Sequence, residues 1–259
     1  MAITLRSARE IGLIRSAGAI VADVLSKLQE MTKPGVTTGE LDAVALDITA
    51  QAGAEALFKG VRSPHARTPF PGAICASINE EVVHGIPSAD VVLKEGDVLS
   101  IDFGVRLAGY CGDAAVTVAV GEISQGRRRL MDTTREALEL AIANCAPSVN
   151  WSYVAGKMQE YIESAGFSVV KDFVGHGIGR EMHEEPRVPN FVSSDLPTND
   201  FVLERGMILA VEPMVNEGGD DVRTLRNGWT VVTRDSRCSA HFEHTIAIVD
   251  EGCEVLTRQ

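Results

Sequence analysis

The chain has 259 residues, with 36 Asp and Glu against 24 Lys and Arg, giving a net charge of -12. That balance excludes nucleic acid as the main partner, because phosphate binding relies on clustered Lys and Arg, and it suits a cationic group such as a free peptide N-terminus. No run approaches the ~20 apolar residues of a membrane span, and the opening MAITLRSARE lacks the apolar stretch of a secretion signal, so a cytoplasmic protein with no membrane association is expected.

Two helices open the chain, each announced by a capping box: Ser7 with Glu10, and Thr37 with Glu40. The first continues through Ile11, Ile14, Ala17, Val21, Val24, Leu25 and Leu28 and is expected to stop at Pro34-Gly35. The second carries Leu41, Val44, Ala45 and Ile48 and is expected to stop near Gly53. Both are predicted as amphipathic covers over a sheet. Strand-like runs rich in Val and Ile follow as far as Gly121. Helices are expected again from about Arg128 to Asn144 and from Tyr153 to Ala165, the latter capped by Ser152 and closed by Gly166. The run Arg127-Arg128-Arg129 reads as a solvated helix start. A second block of strands occupies Val169 to the C-terminus. The five cysteines (Cys75, Cys111, Cys145, Cys238, Cys253) are odd in number and widely spaced, so no disulfide framework is expected.

The order helices, strands, helices, strands is an α+β pattern repeated once. Gly96-Asp-Val-Leu-Ser-Ile-Asp102 and Gly206-Met-Ile-Leu-Ala-Val-Glu212 share one frame: Gly, any residue, aliphatic, Leu, small, aliphatic, acid. Upstream of each lies a His-Gly-Ile, at His84 and at His176. Downstream of each lies another acid opening a Thr- and Val- or Ile-rich strand, Asp113 and Glu243. Three matched features in one order predict two similar α/β halves, roughly 1–125 and 126–259, within a single catalytic domain. The halves pack about a pseudo-two-fold axis with their strands joined in one curved antiparallel sheet.

The four acids converge in that arrangement. Strand side chains alternate faces, so Asp102 points away from its apolar neighbours Ile101 and Phe103, and a hairpin with Gly109 and Gly112 allowing the reversal brings Asp113 beside it. An ionised carboxylate in an aliphatic strand is costly unless paired or bound to a cation. Any one acid alone reads more simply as a turn residue or ion-pair partner. Four at repeated positions, with His176 between two glycines, read as ligands for two divalent metal ions: Asp102, Asp113, His176, Glu212 and Glu243. The mostly oxygen donor set favours Mn, Fe or Co over a structural thiolate zinc, and bridging carboxylates would hold the ions roughly 3.5 to 4 Å apart, as in two-metal hydrolases. His65, in an irregular Pro-rich loop, reads as an ordinary surface residue.

Five segments extend this reading: Ser77-Ile-Asn-Glu with Val83-His-Gly-Ile-Pro, Ile101-Asp with Gly112-Asp, Gly175-His-Gly-Ile-Gly-Arg-Glu-Met-His-Glu-Glu-Pro, Val211-Glu-Pro-Met, and Phe242-Glu-His-Thr. Over nearly the whole chain the sequence resembles the methionine aminopeptidases of the bacterial, type I kind. The resemblance implies the duplicated "pita-bread" fold and removal of the initiator methionine from nascent polypeptides, at the ribosome and by a monomer. It also implies preference for a small second residue and attack by a water or hydroxide bridging two divalent ions (Co, Mn, Fe or Zn). By the same resemblance Asp102 chelates one ion, Asp113 and Glu243 bridge both, and His176 with Glu212 completes the second site. His84 and His183 contact the scissile peptide, Glu212 shuttles a proton, and Phe70, Cys75, Phe173, Met182 and Trp229 line the methionine pocket.

Prolidase-like relatives typically carry a large extra N-terminal domain. Type II methionine aminopeptidases carry a helical insertion for which the span between His183 and Glu212 leaves little room. A silent peptide-binding module would have no use for four clustered acids. Three positions depart from the resemblance: His241 stands where Gln is usual, the loop Arg62 to Pro69 is longer and lacks an expected aromatic residue, and Ala114 follows Asp113 where Ser or Thr is common.

Overall fold

Both capping boxes at the start of the chain form as expected. Glu10 N–H donates to the Ser7 hydroxyl while the Glu10 carboxylate accepts from Ser7 N–H at 2.9 Å, opening α1 (Ala8–Met31). Thr37 and Glu40 make the reciprocal pair at 3.1 and 2.7 Å to open α2 (Thr38–Gln51). Helix α1 ends at Met31, ahead of Pro34, with Thr32 as its C-cap. The computed structural model of the protein describes residues 3–192 and 200–258.

Strands β1 (Glu55–Ala56), β2 (Ile74–Ile78), β3 (Glu81–Val83), β4 (Val98–Leu107) and β5 (Tyr110–Ala119) follow, then α3 (Gln125–Asn144) and α4 (Trp151–Ser164). The second block comprises β6 (Ser168–Val169), β7 (Gly175–Gly177), β8 (Glu184–Val188), β9 (Ile208–Val211), β10 (Met214–Asn216) and β11 (Val222–Thr224). It closes with β12 (Val231–Thr233), β13 (Ser239–His241), β14 (Glu243–Ile248) and β15 (Cys253–Val255). A nine-stranded sheet runs β1-β4-β5-β14-β9-β7-β8, with β2 on β4 and β15 on β14, and every pairing is antiparallel. The seam between the halves is β5 against β14.

Each half has its own core beneath its own pair of helices. Val21, Leu25 and Leu28 of α1 and Leu41 of α2 pack on Leu99, Ile101 and Phe103 of β4. Leu130 and Leu138 of α3 and Trp151 and Met158 of α4 pack on Leu209, Val211 and Ile246. The glycines that open the repeated frame share one backbone conformation, Gly96 at φ 90° and Gly206 at φ 93°, the left-handed region that favours glycine.

The β4–β5 reversal is made by Ala108 and Gly109, at φ 50° and 81°, the two-residue turn whose twist matches antiparallel strands. Gly112, expected to help the turn, serves a different purpose: a Cβ there would lie 2.8 Å from the backbone nitrogen of Gly18, so its absence lets α1 lie directly on β5. Helix α3 starts at Gln125, capped by Ser124, and two of the three arginines bond carbonyls: Arg127 to Gly96 and Arg129 to Ala165 at 3.0 Å. Ser152 is not the cap of α4. Asn150 holds that position without a side-chain cap bond, and the Asp200 carboxylate accepts from both Ser152 N–H (2.9 Å) and Ser152 hydroxyl (2.6 Å), doing the capping from 48 residues away. All five cysteines are free thiols.

Candidate metal centre and substrate cavity

Strand register alone gathers the acids. Asp102 of β4 lies opposite Ala115 of β5, and Ala115 lies opposite Glu243 of β14. The three therefore form one row across the sheet, with only a methyl group in its centre. Asp113, opposite Gly104, projects from the same face one pleat away. From the other side, Ala210 of β9 lies opposite both Thr245 and His176, and Glu212, two residues beyond Ala210, returns to that face. Small residues at 104, 115 and 210 leave the space that the acids and imidazole surround.

The atoms come close. His176 Nε2 is 3.6 Å from Glu212 Oε1 and 3.9 Å from Asp113 Oδ2, and one ligand atom each from Asp113, His176 and Glu243 lies within 4.8 Å of the others. Thr245 fixes the Asp113 backbone, accepting from its N–H at 3.1 Å and donating to its carbonyl at 2.7 Å. Asp113 and Glu243 are each only 2% exposed. Asp102 Oδ1, Asp113 Oδ1 and Glu243 Oε1 are sealed from solvent without a hydrogen-bond partner, and the ion-pair neighbours of Asp113 and Glu212 among the described residues are imidazoles.

Burial, reinforced by mutual repulsion, pushes Asp102, Glu212 and Glu243 well above the usual carboxylate range, and burial raises Asp113 to about 7. Burial also lowers His84 and His176 to about 4, so both rings are neutral near pH 7. Orphaned carboxylate oxygens beside a neutral imidazole fit a divalent cation, whose charge would remove the repulsion and fill the missing contacts.

A cavity of about 560 Å³ opens over the acids, and all of the metal, catalytic and pocket residues expected from the sequence line it. Phe70 and Trp229 meet edge to face at 5.3 Å, and Phe173 meets the His84 ring at 5.7 Å. Cys75 lies opposite Asp102 in the β2–β4 register, which joins the apolar wall to the acid row, and burial pushes its thiol well above the usual range. His84 sits at φ 59°, a strained conformation for a residue with a side chain, and its carbonyl accepts from the Thr230 hydroxyl at 3.3 Å. The His183 ring meets His176 edge to face at 4.4 Å.

Several lining residues were not read from the sequence. Phe58 and Val61 supply the wall beside the Arg62 to Pro69 loop, which closes through Gly60 N–H to Phe70 O and Phe70 N–H to Val61 O, both 2.8 Å. Trp229 Nε1 donates to Thr68 O at 3.0 Å and ties that loop to the pocket, while His65 stays exposed. Glu184, next to His183, accepts from Arg180 and Glu181 N–H and from Arg6 Nη2 at 2.7 Å, so the N-terminal segment anchors the loop bearing His183. Phe242 interrupts the strand expected to run through it: β13 ends at His241 and β14 begins at Glu243, yet both side chains line the cavity.

The pattern of metallopeptidase family M24 matches residues 12–250. The chain belongs to this family. Within it, similarity spans the whole length: the methionine aminopeptidase of Clostridium acetobutylicum is 46% identical over 255 residues, covering 98% of each chain. Methionine aminopeptidase 1 of Bacillus subtilis is 44% identical over 256 residues, 99% of each. The crystal structure of the Thermotoga maritima methionine aminopeptidase superposes with a TM-score of 0.93 at 41% identity, covering all of both chains. The Pyrococcus furiosus prolidase shares the fold, with a TM-score of 0.74 at 22% identity over 98% of this chain and 65% of that one. As an M24 metallopeptidase the chain is a metal-dependent hydrolase with the pita-bread architecture, and the acid cluster is where divalent metal fits.

Proposed function

We propose that the chain is a methionine aminopeptidase that hydrolyses the bond after the initiator methionine of nascent polypeptides bearing a small second residue. The observation that carries the proposal is the union, in one cavity, of a sealed acid cluster with a soft apolar slot of Phe70, Cys75, Phe173, Met182 and Trp229. A slot of aromatic rings, a thiol and a thioether suits an unbranched thioether side chain.

Two divalent ions are proposed. Asp102, Asp113, His176, Glu212 and Glu243, which surround one space in the cavity, would hold them. Such ions, when bound, would supply Lewis acidity and bring the pKa of a bound water down toward neutral pH. Glu212, whose carboxylate lines the cavity beside the space for the ions, would carry a proton to the leaving amine. His183, whose pKa burial lowers, is a neutral hydrogen-bond donor to the oxyanion, and His84, opposite Phe173, orients the scissile peptide. The enzyme acts as a single catalytic domain and a monomer in the cytoplasm, on N-termini emerging from the ribosome. It has no requirement for nucleic acid or membrane, and no helix among the described residues is long and apolar enough to cross a membrane. The test is release of free methionine from Met-Ala-Ser and Met-Lys-Ser after chelation and re-addition of Co, Mn, Fe or Zn singly. Methionine is expected from the first peptide and little from the second. No release from either peptide with any metal contradicts the proposal.

A further inference from the structure

The His241 side chain lines the cavity, and among the described residues no hydrogen bond holds its Nε2. Its backbone is locked, since His241 N–H donates to Thr117 Oγ1 at 2.9 Å and Thr117 Oγ1 donates to the His241 carbonyl at 2.7 Å. Only 2% of the residue is exposed, and its Nε2 is sealed from solvent with no hydrogen-bond partner. A buried ring nitrogen left unpaired is costly. That nitrogen faces Glu212 Oε2 at 3.9 Å, within reach but too long for a hydrogen bond, while His176 Nε2 faces the other oxygen, Oε1, at 3.6 Å. Glu212 thus stands between two imidazoles, one for each oxygen.

We propose that His241 is a positioning residue for Glu212: in the cation-loaded enzyme its Nε2–H donates to Oε2, leaving Oε1 to the side of His176 and the ions. The inference rests on the proposed role of Glu212. Hydrogen-bond partners that orient metal-site groups change affinity or turnover by roughly 10- to 100-fold when removed. His241→Leu keeps the bulk but loses the donor, so turnover should fall about tenfold or more and the weaker of the two cation affinities, measured by titration calorimetry with Mn²⁺, should fall similarly. KM for Met-Ala-Ser should stay within about threefold, because the lost contact acts on the carboxylate rather than on peptide binding. His241→Gln restores an N–H donor and should stay within about threefold of wild type in both readouts.

A spectroscopic measurement is independent of whether either variant folds. In the ¹⁵N-histidine spectrum of the Zn²⁺-loaded wild type, His241 should carry its proton on Nε2, slow to exchange and shifted downfield. A ring protonated only on Nδ1, an unperturbed His241→Leu variant, or a Gln variant as impaired as Leu would each overturn the proposal. Wild-type protein that binds no divalent cation would instead remove the underlying reading of the site.

Discussion

Glu10 and Asp113 are acids on neighbouring elements, and the fold drives them in opposite directions. Glu10 accepts hydrogen bonds from the Ser7 backbone and hydroxyl and from the Tyr110 phenol, remains partly solvated, and is held at about 2. Asp113 has an orphaned oxygen, lies among three other acids, and is pushed up to about 7 by burial. The contrast separates two uses of a carboxylate. The first belongs to a satisfied network that links the α1 cap through Tyr110 to Arg180 and anchors the N-terminal segment. The second is kept at a cost in stability because its missing contacts are those that a cation makes.

The sharpest break in this contrast is expected at Glu212. Removing its charge while keeping its shape, Glu212→Gln, should lower turnover on Met-Ala-Ser by about 10²- to 10⁴-fold, the range for loss of a general acid or base. Near-normal turnover would take Glu212 out of the mechanism.

A second test inverts the usual effect of mutation. In chelated protein, Asp113→Asn should melt at a higher temperature than wild type, because it removes an uncompensated buried charge. The sign follows from the folded pKa being raised from 3.8 to about 7: the native state holds the proton over that window, so wild-type chelated protein loses stability as pH rises through it. Histidines with lowered pKa values work the other way below 6.5, since they must stay neutral in the fold. The advantage of the Asp113→Asn variant should therefore be small at pH 4 and greatest above pH 7. Equal melting temperatures for the two chelated proteins at pH 7.5 would contradict it.

The smallest effect is expected at Glu10. Its folded pKa is depressed, so its stabilisation is fully present above the unfolded value of 4.5 and is lost as pH falls through about 2. Glu10→Gln should lower the melting temperature by a few degrees at pH 7, and the difference should shrink below pH 4. A pH-independent difference would mean that the carboxylate charge contributes nothing.

The contrast also marks what could be read from the sequence. Capping boxes are local, and a repeated frame with matched glycines and acids is periodic, so α1, α2, the two halves and the gathering of the four acids with His176 in one cavity were legible. Register then converts the spacing of Asp102 and Asp113 into a shared face without further information. What escaped depends on distant partners. Asp200 caps α4 in place of Ser152, Gly112 is a helix-packing site rather than a turn residue, and Arg6 reaches Glu184 across 178 residues. Phe58 and Val61 carry no local signature either, because their place in the pocket wall is set by loop closure onto Phe70.

In the proposed function, divalent cations complete the acid cluster and serve both turnover and folding. The most direct measurement follows both at once: methionine release and melting temperature of one preparation, first chelated and then titrated with Mn²⁺ or Co²⁺. Because ligand binding to the native state adds to folding stability, activity should vanish and the melting temperature fall on chelation, and both should recover together as the ions return. A chelated sample that keeps full activity, or a melting temperature indifferent to the ions, would contradict it.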